Sequence, residues 1–127
     1  LVGEKLGDAF VAPVLERILR HGAFRTLLPL LPERGRPRYC LLTDDPNPDV
    51  ARMLEEAFTQ AFRYREARLL AQLDAVDVIS RPGMRVTVHD ALVAAGMKAG
   101  DIKEQALVTS PDVARRVHAY VGQRIVA

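Results

Sequence analysis

Residues 24–45, FRTLLPLLPERGRPRYCLLTDD, constrain the fold of this chain more than any other stretch. Two short apolar runs, Thr26–Leu31 and Tyr39–Leu42, stand on either side of a segment broken by Pro32, Gly35 and Pro37. The second run reads as a buried strand. Pro29 removes a backbone N–H from the middle of the first, which therefore reads as a strand broken at that point. Apolar strands need helices to cover them, and helical patterns flank this pair on both sides.

Upstream, DAFVAPVLERILRH (residues 8–21) places Phe10, Val11, Val14, Leu15, Ile18 and Leu19 on one helical face. Pro13 implies a helix that starts close to it or kinks there, and Gly22 is a natural stop. Downstream, DDPNPDVARMLEEAFTQAF opens a helix with Asn47 as cap, Pro48 at the first position and Asp49 complementing the dipole. Val50, Met53, Leu54, Ala57, Phe58 and Ala61 repeat at helical spacing, and a second helical run, Glu66–Leu73, follows a break near Phe62–Tyr64. AVDVIS (75–80) alternates as a strand, Arg81–Gly83 turns, and MRVTVH (84–89) alternates again. A short helix at Asp90–Ala95, a glycine-punctuated loop and a terminal helix complete the chain. Ser110 caps that last helix, Pro111 takes its first position, and Val113, Val117, Tyr120 and Val121 face inward. The expectation is a single compact α+β domain, a small mixed sheet of three to four strands packed with amphipathic helices on one or both faces. The order of strands stays open.

Fifteen arginines and three lysines against 16 acids leave a net charge of +2, a near-balance that does not by itself point to nucleic acid. The arginine-bearing segments PERGRPR (32–38) and RYREAR (63–68) are interrupted by Glu33 and Glu66 and read as solvated surface. No apolar run approaches the ~18 residues needed to span a bilayer, no signal-peptide pattern opens the chain, and Cys40 is the single cysteine. A cytoplasmic protein without membrane contact is expected. The chain opens on Leu1 rather than methionine, which reads as a domain cut from a longer protein.

Walker and GxGxxG loops are absent, and His21, His89 and His118 are scattered, so no metal site is expected. Cys40 reads as a small buried hydrophobe. Tyr64, Arg68 and Gln72 lie four apart and line one helical face. That face could dock another domain or a polar ligand; alternatively Tyr64 covers the core while Arg68 and Gln72 cap carbonyls. Lys103 follows Ala99–Gly100–Asp101, which places it in a turn or edge segment as a flexible point charge. Lys98 reads as a solvated loop residue.

Three blocks together resemble the C-terminal domain of acyl-acid amido synthetases of the auxin-responsive (Gretchen Hagen) family, particularly its bacterial members. They are LVGEKLGDAFV (1–11), similar to the segment that opens that domain after the hinge; YREARLLAQL (64–73); and GDIKEQAL (100–107), similar to the family's closing lysine motif. Ala71 stands where relatives commonly have glycine, and Glu104–Gln105 replaces a proline-rich continuation. The helix after Ser110 matches no part of the pattern. The resemblance implies a mobile C-terminal domain of an adenylate-forming enzyme, residues 1–127, closing over a large N-terminal domain that holds most contacts to ATP and Mg. A carboxylic acid would be activated as an acyl-adenylate and passed to an amine or amino acid. It implies Lys103 as catalytic and nucleotide-facing lysine, Lys5 as a second one, Gly3 as the flexible residue beside the hinge, and Glu4 as a partner for Lys5. The fragment alone would be inactive. The competing expectation is a non-enzymatic α+β module that binds a protein or RNA through its Arg/Tyr helix.

Overall fold

The computed structural model describes residues 5–126, with side chains through residue 124. Three strands, β1 (Arg25–Leu30), β2 (Arg38–Thr43) and β3 (Asp77–Ser80), form one mixed sheet in the order β1-β2-β3. β1 and β2 are antiparallel, and β3 runs parallel to β2. Five helices surround it: α1 (Asp8–Ile18), α2 (Val50–Phe58), α3 (Phe62–Leu69), α4 (Met84–Ala94) and α5 (Pro111–Val126). A single 3₁₀ turn, Ala99–Asp101, lies between the last two. This is the α+β architecture expected, with three strands.

Side chains alternate across a strand, so the two faces of the sheet collect different residues. Leu27, Tyr39 and Leu41 join Val11, Val14 and Leu15 of α1, Leu54 and Phe58 of α2, and Tyr64 of α3 in one core. Tyr39, Phe58 and Tyr64 pack ring against ring, Phe58 to Tyr64 at 5.5 Å between centroids. Leu28, Leu30, Cys40 and Leu42 point the other way, onto Met84 and Val88 of α4 and Ala114, Val117 and Val121 of α5. Both faces are covered, which is why β1 and β2 read as apolar runs without alternation.

Pro29 does not break β1, contrary to the expectation. Leu27 donates its N–H to the Ala106 carbonyl (2.8 Å) and accepts from the Val108 N–H (3.0 Å), both away from β2. Pro29, two residues on, presents its nitrogen to that same outer side, so its missing N–H removes nothing from the β1–β2 ladder. Pro13 likewise sits inside α1 without starting it. It would have bonded to the Ala9 carbonyl, which lies on the exposed side of the helix, where water can serve.

Helix boundaries moved for identifiable reasons. Asn47 does not cap the helix as expected: its Oδ1 accepts from the Asp49 N–H at 3.0 Å within the turn at Pro48–Asp49, and α2 begins at Val50 with Asp49 at its N-cap and no side-chain cap bond. The break expected near Phe62–Tyr64 lies at Thr59–Ala61, and α3 ends at Leu69, well before Leu73. Its end is a Schellman cap: Gln72 N–H to the Ala67 carbonyl, Ala71 N–H to the Arg68 carbonyl. Ala71 occupies the left-handed position of that cap at φ 57°. Ser110 caps α5 through the Val113 N–H at 3.3 Å, as its position suggested.

The largest correction concerns MRVTVH, expected as a strand. It is the first half of α4, continuous with the short helix expected at Asp90–Ala95. Gly83, at φ 77°, turns the chain out of β3 into the helix. Met84, Val88 and Ala91 then recur at helical spacing and are buried, while Val86, which alternation would also have buried, is 64% exposed. The second sheet face needs covering, and this helix with α5 supplies the cover.

Two substitutions separate the helix from the strand by stability. Val86→Ala should change unfolding free energy by less than ~0.5 kcal/mol, with any change in the stabilising direction, because alanine favours helix at an exposed site. Val88→Ala should cost about 2 kcal/mol through lost burial and residual cavity. Denaturant titration of both variants is the measurement; equal losses would point to alternate burial.

Candidate functional site

α4 and α5 lie side by side on the second face, and a cleft of about 510 Å³ opens between them and the segment that links them. Its floor is apolar, from Phe24, Val108 and Val117, and its far wall carries Met97 and residues 101–105. The linking segment is held at both ends. Gly96, at φ 101°, closes α4 with a Schellman cap completed by the Met97 N–H to the Leu92 carbonyl. Ile102 leaves the 3₁₀ turn in an extended conformation, and Leu107 bridges to Leu27 at the edge of β1. The short exposed span between these anchors carries Lys103.

Charge around Lys103 is distributed unevenly. Its neighbour Glu104 is taken by Arg85, whose Nε lies 2.7 Å from the carboxylate. The same guanidinium stacks 5.6 Å over the Phe24 ring, closing that side of the cleft with a cation–π contact. Lys103 forms no ion pair among the described residues. It is exposed and lines the cleft.

Lys5 is also exposed, but the structure does not bring it to Lys103. The next residue, Leu6, donates its N–H to the Tyr39 hydroxyl at 3.0 Å and packs into the core under α1, on the other face of the sheet. Gly3 and Glu4 lie outside the described residues.

Tyr64 and Arg68 converge on a residue that sequence reading did not single out. The Tyr64 hydroxyl donates to Glu55 Oε1 at 2.6 Å, and Arg68 Nε donates to Oε2 at 2.7 Å. The Val76 N–H adds a third bond to Oε1, and a second Arg68 nitrogen donates to the Leu73 carbonyl. Burial would raise the Glu55 pKa, yet the bonds from Arg68, Tyr64 and Val76 outweigh it and hold the carboxyl below its ordinary value. Burial, then Glu55, pushes the Tyr64 hydroxyl upward. The bond from Glu55 raises Arg68 as well. This node ties α2 to α3 and to the approach of β3. Tyr64 thus covers the core and Arg68 caps a carbonyl, while Gln72 is exposed and uses its N–H to close α3. On its outward side α3 exposes Phe62, at 62%, and Leu69 among the charged Arg63, Arg65 and Glu66, with Leu70 exposed just past its end. Phe62 and Leu69 are seven apart, opposite the buried Tyr64 and Ala67, so helical spacing alone places them outside once one face is assigned.

Cys40 is buried in β2, and burial pushes its thiol up to about 12, with Asp77 adding to the shift. Such a thiol is not a nucleophile at neutral pH. Burial lowers the His118 pKa, and nearby Arg38 lowers it further. Among the described residues no group of three or more His, Cys, Asp or Glu converges as for a metal ion, and no helix is long and apolar enough to cross a membrane. Comparison with protein-family models gives no match, and comparison with curated proteins gives none.

The Glu55 node predicts an acid response. A carboxyl held low when folded stabilises fully above its unfolded value and loses that contribution as pH falls through the folded value. The ordinary value is 4.5, so the loss should fall below that pH. Glu55→Gln should cost about 1–3 kcal/mol at pH 7 and show a shallower decline in acid than the native chain. Denaturant melts at pH 7 and in steps below pH ~4.5 read both; parallel declines would remove Glu55 as an acid-sensitive group. At the end of α3, Ala71→Gly should raise stability by about 0.5 kcal/mol, relief of the left-handed alanine exceeding the added freedom of the unfolded chain. A loss in the same assay would contradict that cap geometry.

Proposed function

We propose that the chain is the mobile C-terminal domain of an acyl-acid amido synthetase of the auxin-responsive (Gretchen Hagen) type, working in the cytoplasm against its own N-terminal adenylation domain. The observation that carries this reading is the state of Lys103. The lysine of the GDIKEQAL block is exposed, lies between two anchored points of backbone, and has no acid partner among the described residues. A second support is Ala71: relatives commonly have glycine there, and the backbone at that position has the left-handed conformation glycine adopts without cost. The buried thiol of Cys40 fits a reducing compartment.

The chemistry has two steps. A carboxylate oxygen attacks the α-phosphorus of ATP, the bond to the bridging oxygen breaks, and pyrophosphate leaves. An amine then attacks the acyl carbon of the adenylate, AMP leaves with the bonding pair, and the amine sheds a proton as the amide forms. Negative charge gathers on the α-phosphate oxygens in the first step. A compact ammonium brought against them in a closed, dry site lowers that barrier most. Carrying the ammonium on a separate domain couples closure to chemistry and lets product leave. Lys5, beside the proposed hinge at Gly3, would face phosphate in another stage of that movement. ATP and Mg would be held mainly by the N-terminal domain.

A second reading, a non-enzymatic interaction module, is favoured by one observation: the exposed Phe62, Leu69 and Leu70 stand beside Arg63 and Arg65, with Arg65 5.7 Å over the Phe62 ring. Salt-sensitive RNA binding by the chain alone would support that reading.

In the full-length enzyme, Lys103→Ala should lower acid-dependent ATP–pyrophosphate exchange by about 10²-fold or more, the scale of removing a preorganised charge. The chain on its own should turn over no acyl acid. Native exchange rates in the variant would exclude Lys103 from the step, and turnover by the chain alone would exclude the lid role.

A further inference from the structure

The cleft between α4 and α5 has features of a ligand site beyond the role proposed for Lys103. Its volume, about 510 Å³, lies within the range of small-molecule pockets, roughly 300–1,000 Å³. Two large hydrophobics stay exposed on its walls, Val86 at 64% and Met97 at 37%. Phe24, Val108 and Val117 form a floor that is itself buried in the second core. That floor is all but closed to solvent, and the apolar surface a ligand meets comes from Val86 and Met97 with the half-buried Leu92, Ile102 and Val113.

Polar groups at the rim select the head group. Arg85 and Glu104 neutralise each other at 2.7 Å, and Arg85 is further held over Phe24, so neither is available to a ligand without breaking that pair. His89 stands on α4 with Asp90 at 3.9 Å from its Nδ1. Lys103 is the rim cation without an ion pair among the described residues, and Asp101 lies two residues before it. One free cation beside one acid suits a single negative charge and works against a polyanion.

We infer that this cleft binds an amphipathic monocarboxylate, with its apolar tail against Val86, Leu92, Met97 and Val113 and its carboxylate on the Lys103 ammonium. The site shares Lys103 with the proposed adenylation step but does not require that step, and the two are read by different assays. A ligand seated here draws the ammonium toward the cleft.

The test uses the present chain with decanoate and decanol, each below its micelle-forming concentration, followed by calorimetry and by backbone amide NMR shifts. Decanoate should bind more tightly than decanol, with shifts gathered at Phe24, Val86, Met97, Lys103 and Val108. Lys103→Gln should weaken decanoate about tenfold, between an exposed ion pair and a charge-assisted hydrogen bond, and leave decanol unchanged. Val86→Asp should weaken both ligands. Both positions are exposed, so the fold is retained, which circular dichroism checks. Equal affinity for acid and alcohol, unchanged decanoate binding in Lys103→Gln, shifts centred on Phe62, Leu69 and Leu70, or no binding would each overturn the proposal. None of those outcomes bears on pyrophosphate exchange by the full-length enzyme.

Discussion

Everything in this domain follows from the position of β2. It pairs with a strand on each edge and is buried on each face, so Tyr39 and Leu41 require one set of partners while Cys40 and Leu42 require another. A sheet of only three strands cannot meet that demand alone. Two layers of helix are needed, α1 to α3 on one side, α4 and α5 on the other. Burial on both faces also removes freedom of register, since a slip of one residue would exchange the two cores. The cluster of Tyr39, Phe58 and Tyr64 on one face and the largely aliphatic set of Leu28, Leu42, Met84 and Val117 on the other are not interchangeable in shape.

The same demand sets the character of the candidate site. β1 is an edge strand, and its outer side would be left with unpaired groups at Leu27. The segment at Ala106–Val108 satisfies them, which anchors the end of the link from α4. Residues 102–105 are therefore a short bridge between a helix cap and a sheet edge. A side chain on such a bridge is exposed yet positioned. By contrast, Tyr64 and Arg68 of α3 are committed inward by Glu55, and the outward side of that helix mixes Phe62 and Leu69 with Arg63, Arg65 and Glu66.

Much of the fold was legible because local signals agreed with tertiary need. The cap at Ser110 and the apolar faces of α1 and α5 follow from spacing and occur in the structure, whereas the Asn47–Pro48 signal makes a turn one residue ahead of the helix cap. MRVTVH was not legible, because Met84 and Val88 satisfy period two and helical spacing alike; only the burial of Ala91 and exposure of Val86 separate them. Pro29 misled because its cost depends on which side its nitrogen faces, and that is settled by a segment some 77 residues away. Lys103 lies between the 3₁₀ turn and the Leu107 bridge, in neither a turn nor a strand. Glu55 was invisible for a different reason: its partners lie 9, 13 and 21 residues on, across an end of helix that sequence placed too late.

The division of labour between arginine and lysine has a physical basis here. Among the described residues, every salt bridge from a permanently charged base uses arginine: at positions 36, 38, 52, 68, 85, 115 and 116. A planar fork holds carboxylates in fixed geometry, as at Glu55, and stacks on rings, as at Phe24. Arginine at position 103 would have Asp101 and Glu104 within two residues and would tend to join that lattice. Lysine offers a compact, well-hydrated charge on a flexible stem, which forms exposed pairs weakly and remains free to meet an anion brought from outside. With Arg85 already holding Glu104, one of the two neighbouring acids is removed from competition. The acid left beside Lys103 is Asp101, which is exposed, and an exposed lysine–carboxylate pair is weak enough to yield to an anion from outside.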